Sequence, residues 1–478
     1  MRLILRTSMV CASVVLGACT TLAPPDAPRA VTPPERWHAP LPHGGTLGDM
    51  RQWWQQFNDP ALLALQDAAQ TANPTLAMAQ ARIVQARAAQ VGAQAGMGPT
   101  LNGNASASRG NAQAPGSPPA TVWQVGAQAS WEIDLFGAQK LAANAAQARL
   151  EGAQALWHEA RVSVAAELAQ LYFDRRSCEQ VLAVAKADAA SRTETARLAD
   201  LSAQAGLTAP AAAALAKASA AEGRGRFTQQ QAQCDTDVKG LVALTALTEP
   251  QVLALLTPPA AALQDSALLS IAQLPVQVLA QRPDVFNAER ELMAARAEVG
   301  VTQAQELPRL GLLGSVAVGG VRTGGSTSDA RTWSLGPLQL TLPILDGGRN
   351  AANTVAARAA YASSAAAYAA KVRQAVREVE EALVRLDSAT RRDDDARLAA
   401  QGYTTAFDAT QARYKAGLAS VVELEESRRN SLAAQTGLLG LQRERLGAWI
   451  ALYRAAGGGW SATQLDTPPP TPTGRTAP

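Results

Sequence analysis

From Trp123 to Glu132 apolar and polar side chains alternate without a break. Trp123, Val125, Ala127, Ala129 and Trp131 fall on one side, Gln124, Gly126, Gln128, Ser130 and Glu132 on the other. A period of two marks a strand whose two faces meet different surroundings. Just before it, Leu101, Ala105 and Ala107 oppose Asn102, Asn104, Ser106 and Ser108. Two later stretches repeat the pattern less cleanly, with Leu313 and Pro337 out of step. The spacing predicts strands over about 100–109, 121–132, 309–320 and 331–342. Each is near the ~9–11 residues a tilted strand needs to cross a bilayer. A tryptophan at each end of the apolar side, Trp123 and Trp131, fits the aromatic girdle of a membrane barrel. A soluble sheet with one wet face gives the same alternation but leaves that apolar face uncovered. The joining segments, 110–120 and 320–330, are rich in Gly, Ser and Pro and read as external loops.

Elsewhere the period is helical. Tyr361, Ala365, Tyr368, Val372, Ala375, Val379, Ala382 and Leu386 step by four and three, a heptad seam narrowed by alanine. No proline interrupts the chain between Gly137 and Pro210, and a counterpart runs from about Arg349 to Ala416. Helices of that length would reach ~105 Å.

The landmarks recur. Asn73-Pro74-Thr75-Leu76 is answered by Arg282-Pro283-Asp284-Val285, and Pro99 by Pro308, both at an offset of 209. Asp134-Leu135-Phe136-Gly137 is answered by Leu345-Asp346-Gly347-Gly348, and Ala205-Gly206-Leu207 by Ala416-Gly417-Leu418 at 211. One order at nearly one offset is a duplication. The chain divides into an export signal (1–18), a strap (19–48), a first repeat (49–256), a linker (257–280), a second repeat (281–459) and a tail (460–478). Each repeat reads helix, strand, strand, very long helix, turn, helix. The fold class is mainly α, with long coiled-coil hairpins, plus four strands contributed to a membrane β-barrel. Four strands cannot close a barrel, and an open edge in lipid strands unpaired amides at several kcal/mol each. Identical chains must therefore share one; three chains give twelve strands, enough to leave a water-filled bore.

Composition supports this. Aromatics are 4% and charged residues 17% of the 478 residues, below the usual quarter. Alanine fills the deficit; it is the best helix former and lets helices approach closely. Three histidines leave little for metal or general-base chemistry, and a net charge of +3 provides no basic surface for nucleic acid. No nucleotide-binding loop, zinc-binding helix or nucleophile elbow occurs, so neither a cofactor nor an enzyme activity is expected.

The N-terminus reads as a lipoprotein signal. Arg2 and Arg6 precede an apolar run from Met9 to Leu16, and Leu16-Gly17-Ala18-Cys19 resembles a lipobox, which makes Cys19 the lipidated first residue of the mature chain. That leaves Cys178 and Cys234, placed 28 residues before and 28 after Gly206. Two antiparallel helices folded at Gly206 bring both to one level, so a disulfide cross-linking the hairpin is expected, the alternative being two buried thiols on unrelated faces. The second tip is followed by Glu423, Glu425 and Glu426, then Arg428 and Arg429. Glu423 and Glu426 share a helix face, either as rings of like charge at a constriction or paired locally to Arg428 and Arg429.

Several phrases resemble one family: Trp53-Trp54 with Phe57, Asn73-Pro74, Ser130 to Gly137, Leu279 to Val285 with Ala288-Glu289-Arg290, Pro343 to Arg349, and Leu452-Tyr453-Arg454-Ala455 to Trp460. Together they cover about 50–460 and are similar to the TolC-like outer membrane factors of tripartite efflux systems, of the NodT/OprM lipoprotein type. The resemblance implies a homotrimer in outer membrane lipid, with a twelve-stranded barrel and a periplasmic helical tunnel. It also implies docking of a periplasmic adaptor protein fed by an inner-membrane efflux pump. It assigns the periplasmic gate to Glu423 and Glu426, where the family usually has Asp, and adaptor contact to the tips, Gly206-Leu207 and Gly417-Leu418. The alternative is a structural or adhesive coiled-coil lipoprotein without a pore.

Overall fold

A computed structural model describes Pro34, Arg36–Ala39, Met50–Asn111, Pro119–Pro258 and Pro275–Ala462. The signal, Cys19, most of the strap, the centre of the first inter-strand loop, most of the linker and the tail from Thr463 lie outside the described residues. The elements run α1 (Pro60–Ala72), α2 (Pro74–Ala95), β1 (Thr100–Asn111), β2 (Pro119–Ile133), α3 (Ala138–Gln204), α4 (Pro210–Thr245) and α5 (Glu249–Leu256). Then follow α6 (Pro275–Ala280), α7 (Pro283–Gln305), β3 (Arg309–Thr323), β4 (Ser326–Thr341), α8 (Arg349–Lys415) and α9 (Val421–Ala455), with short 3-10 turns at Met50–Phe57 and Gly457–Gly459. The order of the first repeat, α2 to α4, returns in the second, α7 to α9. The two long helices, α3 and α8, have 67 residues each. No single helix among the described residues is long and apolar enough to cross a membrane.

The chain forms two compact units. The sheet unit includes Ala81–Gln154 and Asn287–Ala370. Its four strands are antiparallel in the order β1-β2-β3-β4. The register aligns Leu101 with Ala129, Ala129 with Gly314, and Gly314 with Leu335. Residues directly opposite share a face, so Trp123, Val125 and Trp131 lie on the side of Val318, Leu312 and Leu310. Leu313 and Pro337 are explained by a bulge. Pairing steps from Leu312↔Leu338 to Gly314↔Leu335, so Gly336 and Pro337 together oppose Leu313. The extra residue on β4 flips its alternation, and Leu338, Leu340 and Leu342 stay on the apolar face with Trp333 and Leu335. Gly336, at φ +105, takes the backbone conformation the bulge needs.

The second inter-strand connection is a correction. Residues 320–330 do not form an external loop; pairing continues to Thr323↔Ser326. Only Gly324 and Gly325 turn, at φ +57 and +95. A two-residue hairpin turn whose twist matches its strands needs left-handed residues, and two glycines adopt them without strain.

The helical unit includes the described residues within 32–80, 155–286 and 371–462. Its bulky core gathers Trp53, Leu62 and Leu65 with Leu168, Tyr172, Leu241, Leu383 and Leu452. Trp53 stacks on Tyr453 at 5.1 Å and meets Phe57 edge-on. Asp59 caps α1, accepting from the amides of Ala61 and Leu62, and its other oxygen takes the Tyr172 hydroxyl at 2.5 Å. Burial and that carboxylate push the Tyr172 phenol up. The heptad residues Val372, Ala375, Val379, Ala382 and Leu386 are all buried. Toward the tips the packing thins to alanine, with Ala196, Ala199, Ala213, Ala216 and Ala220 around Val421.

Candidate functional site

Three features could act on a solute or a partner: the sheet faces, the hairpin tips, and the polar contacts behind them. The apolar sheet face carries Leu101, Val125, Val316, Val318, Leu338 and Leu340, all exposed, with Trp333 and Leu335 at 80%. The other face carries Asn102, Asn104, Ser106, Gln124, Gln128, Ser315, Ser334 and Gln339, mostly neutral hydrogen-bonding groups. Both sheet edges, β1 and β4, are unpaired. Trp123 and Trp131 stand eight residues apart on the apolar face, ~27 Å along a strand, close to the height of a membrane barrel's apolar band. Trp131 donates its indole N–H to the carbonyl of Met97 at 3.1 Å. Trp333, absent from the sequence reading, lies between the two rows, opposite Val316. Its alternation with Leu335 was a usable signal, hidden by the phase change at Pro337.

The two tips are built alike. Helix α3 ends with the amide of Leu207 bonded to the carbonyl of Ser202 and that of Gly206 to Ala203. Helix α8 ends with Leu418 bonded to Arg413 and Gly417 to Tyr414. Each is a Schellman stop with glycine in the left-handed position, φ +73 and +75. The chain then restarts at once, with Pro210 in the first turn of α4 and Ser420 capping α9 at the amide of Glu423. These short reversals leave Leu207 81% and Leu418 70% exposed.

Glu423 is exposed and pairs with Arg413 across the second hairpin at 2.7 Å. Glu426 is exposed and makes no ion pair among the described residues. Neither takes Arg428 as its partner. Arg428 turns inward to Glu425, to Ser191 at 3.2 Å and to Thr195 at 3.0 Å. Glu425 also accepts from Arg192 at 2.8 Å and from the Ser219 hydroxyl at 2.6 Å. Arg192 in turn holds both oxygens of Asp188 at 2.9 Å. Burial pulls the Arg428 guanidinium down from its ordinary value. The cluster joins α3, α4 and α9, so it ties one hairpin to the other. Gly223 makes room for it: a Cβ there would lie 2.8 Å from the Arg192 side chain. Sequence reasoning passed over this cluster because Asp188, Arg192, Ser219 and Glu425 come together only in three dimensions.

Further along the first hairpin, the sulfurs of Cys178 and Cys234 are 2.03 Å apart, joining α3 to α4. No group of three or more His, Cys, Asp or Glu able to hold a metal ion occurs among the described residues.

Comparison with known proteins agrees with this architecture. The model of the outer membrane efflux protein family matches residues 65–247 and 274–458, most of the chain and both repeats. The chain belongs to the outer membrane efflux protein family. Among its relatives are outer membrane protein OprJ of Pseudomonas aeruginosa, 30% identical with 94% of each chain covered. The solvent efflux pump outer membrane protein SrpC of Pseudomonas putida is 29% identical, over 95% of this chain and 98% of that one. The solved outer-membrane channel OprN superposes with a TM-score of 0.81 at 26% identity, covering 92% of this chain and 99% of that one.

The phrase that carried the family resemblance, Arg282-Pro283-Asp284, is a structural clasp. The Arg282 guanidinium grips Asp284 at 3.0 and 2.8 Å, Glu378 at 2.8 Å and the carbonyl of Ala455 at 2.8 Å. Burial alone would raise the Asp284 carboxyl, but the Arg282 fork outweighs it and holds Asp284 below the usual carboxylate range. Gly457 closes the clasp at φ +80; a Cβ there would lie 2.1 Å from the Gln281 carbonyl oxygen.

Proposed function

We propose that this outer membrane efflux protein is a passive homotrimeric duct, the outer component of a tripartite system, docked by a periplasmic adaptor and driven by an inner-membrane pump. The observation that carries the reading is the sheet: four strands, two unpaired edges and one face of exposed Leu, Val and Trp. Such a sheet is stable in lipid only when its edges are paired. Pairing β4 of each copy with β1 of the next closes a ring of twelve strands whose polar faces line a wet bore. A wall of Asn, Ser and Gln has little charge with which to choose among solutes, so selection belongs to the pump. Lipid on Cys19 adds a tether that does not span the membrane.

The hairpin tips supply the adaptor contact. Leu207 and Leu418 are exposed apolar side chains on rigid turns, fit to insert into grooves of a helical partner. Glu423 and Glu426 sit beyond the second tip, where three copies would set acidic rings around the entrance.

Static light scattering of the mature protein in detergent, with single-channel recording in planar bilayers, tests the reading. A trimer with ohmic conductance is expected. A monomer that stays soluble after deacylation and conducts nothing would overturn it in favour of a poreless coiled-coil lipoprotein.

A further inference from the structure

The apolar sheet face ends in cations at its hairpin end. Arg109 lies opposite Thr121, and Thr121 opposite Arg322, so the three project in one row from the lipid face. The next row toward the helices holds Trp123, and one row further Arg331 lies opposite Val318. All three arginines are exposed, and none makes an ion pair or side-chain hydrogen bond among the described residues. One acid shares this end of the face, Asp329 beside Gly320 and Trp123, and it pairs with none of them. Arg109 and Arg322 are two strands apart, ~9.6 Å at the usual strand spacing.

An arginine held at the edge of an apolar band gains from an anion that also belongs to the membrane, because its planar fork takes phosphate oxygens in pairs. The opposite ends of all four strands lead into helices, so in the duct proposed above the hairpin end faces outward. We propose that Arg109, Arg322 and Arg331 form a rim that binds the phosphates of an outer-leaflet glycolipid carrying two phosphate groups. Trp123 supplies the interfacial aromatic between the Arg109–Arg322 row and Arg331. In the closed ring β1 lies beside β4 of the next copy, so Arg109 and the neighbouring copy's Arg331 fall along one seam. The inference rests on the barrel reading but not on the tunnel or its gate.

Native mass spectrometry of the detergent-solubilised trimer would measure retention of a diphosphorylated glucosamine lipid. Its dephosphorylated form, phosphatidylglycerol and phosphatidylethanolamine serve as comparisons, at low and high salt. Retention of the diphosphorylated lipid above the other three, falling with salt, is expected. Replacing all three arginines by Gln (R109Q/R322Q/R331Q) should weaken it on the order of 100-fold, roughly five-fold per arginine. Replacing them by Lys, which keeps the charge but loses the fork, should leave retention between that of wild type and the Gln variant, and R309Q, on the water face, should change nothing. Equal retention by the Gln variant, or of the dephosphorylated lipid, would overturn the proposal; so would phosphatidylglycerol held as tightly as the glycolipid. Trimer mass and conductance are read on the same preparations. Their loss in the wild type strikes the duct reading, whereas an intact conducting trimer without lipid discrimination strikes the rim alone. If the Gln variant fails to trimerise, the Lys variant and the dephosphorylated lipid still decide.

Discussion

The two hairpins are copies of one design held by different bonds. Both pair a 67-residue helix with a return helix through a Schellman turn. The first hairpin is clamped covalently, by Cys178–Cys234. At the 211-residue offset the second has Ala389 and Arg445 in those places. Its own ties include Arg392–Glu444 at 2.7 Å and Gln435 to Thr404 at 2.9 Å, both breakable. Near the tips it leans on its sibling through Glu425 and Arg428. A duplicated hairpin thus carries a covalent tie in one copy and ion pairs and hydrogen bonds in the other; if the channel opens by hairpin motion, the first is expected to be the fixed rail and the second the mobile one.

The buried cluster is the sharpest place to break that difference. Glu425→Ala would leave Arg192 and Arg428 buried without their shared carboxylate, at a cost of about 3–5 kcal/mol. Chemical denaturation of the trimer should show the loss, and bilayer recording should show a larger open fraction. Replacing Glu425 and Arg428 together by Leu and Met should recover most of the stability but keep the raised conductance. Recovery of both would mean that the cluster only packs the hairpins and does not latch them.

Removing the clamp is the converse test. Cys178→Ala with Cys234→Ala frees a loop of 56 residues, worth about 4 kcal/mol in the chain-entropy model. The loss should appear as a lower denaturation midpoint with unchanged conductance, if the second hairpin alone moves in opening. Two free thiols on titrating the unfolded wild type without reductant would remove the clamp from the comparison.

Much of this was legible in the sequence because it is periodic or symmetric. The alternation from Trp123 to Glu132, the seam from Tyr361 to Leu386 and the equal spacing of the cysteines about Gly206 are local or arithmetical signals. The second hairpin of the sheet was not legible in full. A bulge shifts β4 by one residue at Pro337, and Gly324-Gly325 reads as flexible loop until the strands on each side are seen to pair. The latch was hidden for another reason: Asp188, Arg192, Ser219 and Glu425 lie on three helices, and no spacing rule joins them. The Arg282-Pro283-Asp284 phrase was recognisable as a motif, but its purpose, gripping the end of α9, belongs to tertiary structure.

Acid should distinguish the hairpins as well. His158, on α3, packs against Trp157 at 4.8 Å; burial and the nearby Arg161 lower its pKa to about 4. The second repeat has Ala369 at the matching place. A histidine depressed on folding favours the native state only while neutral. That contribution is whole above about 6.5 and is lost as the pH falls toward 4. Discounted for partial exposure, it amounts to roughly 1–2 kcal/mol. Melting curves of wild type and His158→Asn should diverge at pH 7.5 and converge near pH 4. A constant gap across that range would show that His158 contributes packing alone.

The smallest effect on stability falls at Glu423, and there the conductance matters most. Its ion pair with Arg413 spans two side chains that are 44% and 54% exposed. Pairs so open to solvent contribute under about 1 kcal/mol. Glu423→Gln, alone or with Glu426→Gln, should therefore leave the denaturation midpoint in place. If the two carboxylates ring the entrance, neutralising them removes six charges from a trimer and should reduce cation preference and raise the open fraction together. The Glu425 variant should raise the open fraction with cation preference intact, because Glu425 faces inward. Opposite signatures from neighbouring residues would divide gate from latch. Identical ones would mean that a single mobile rail, with no acidic ring, sets the entrance.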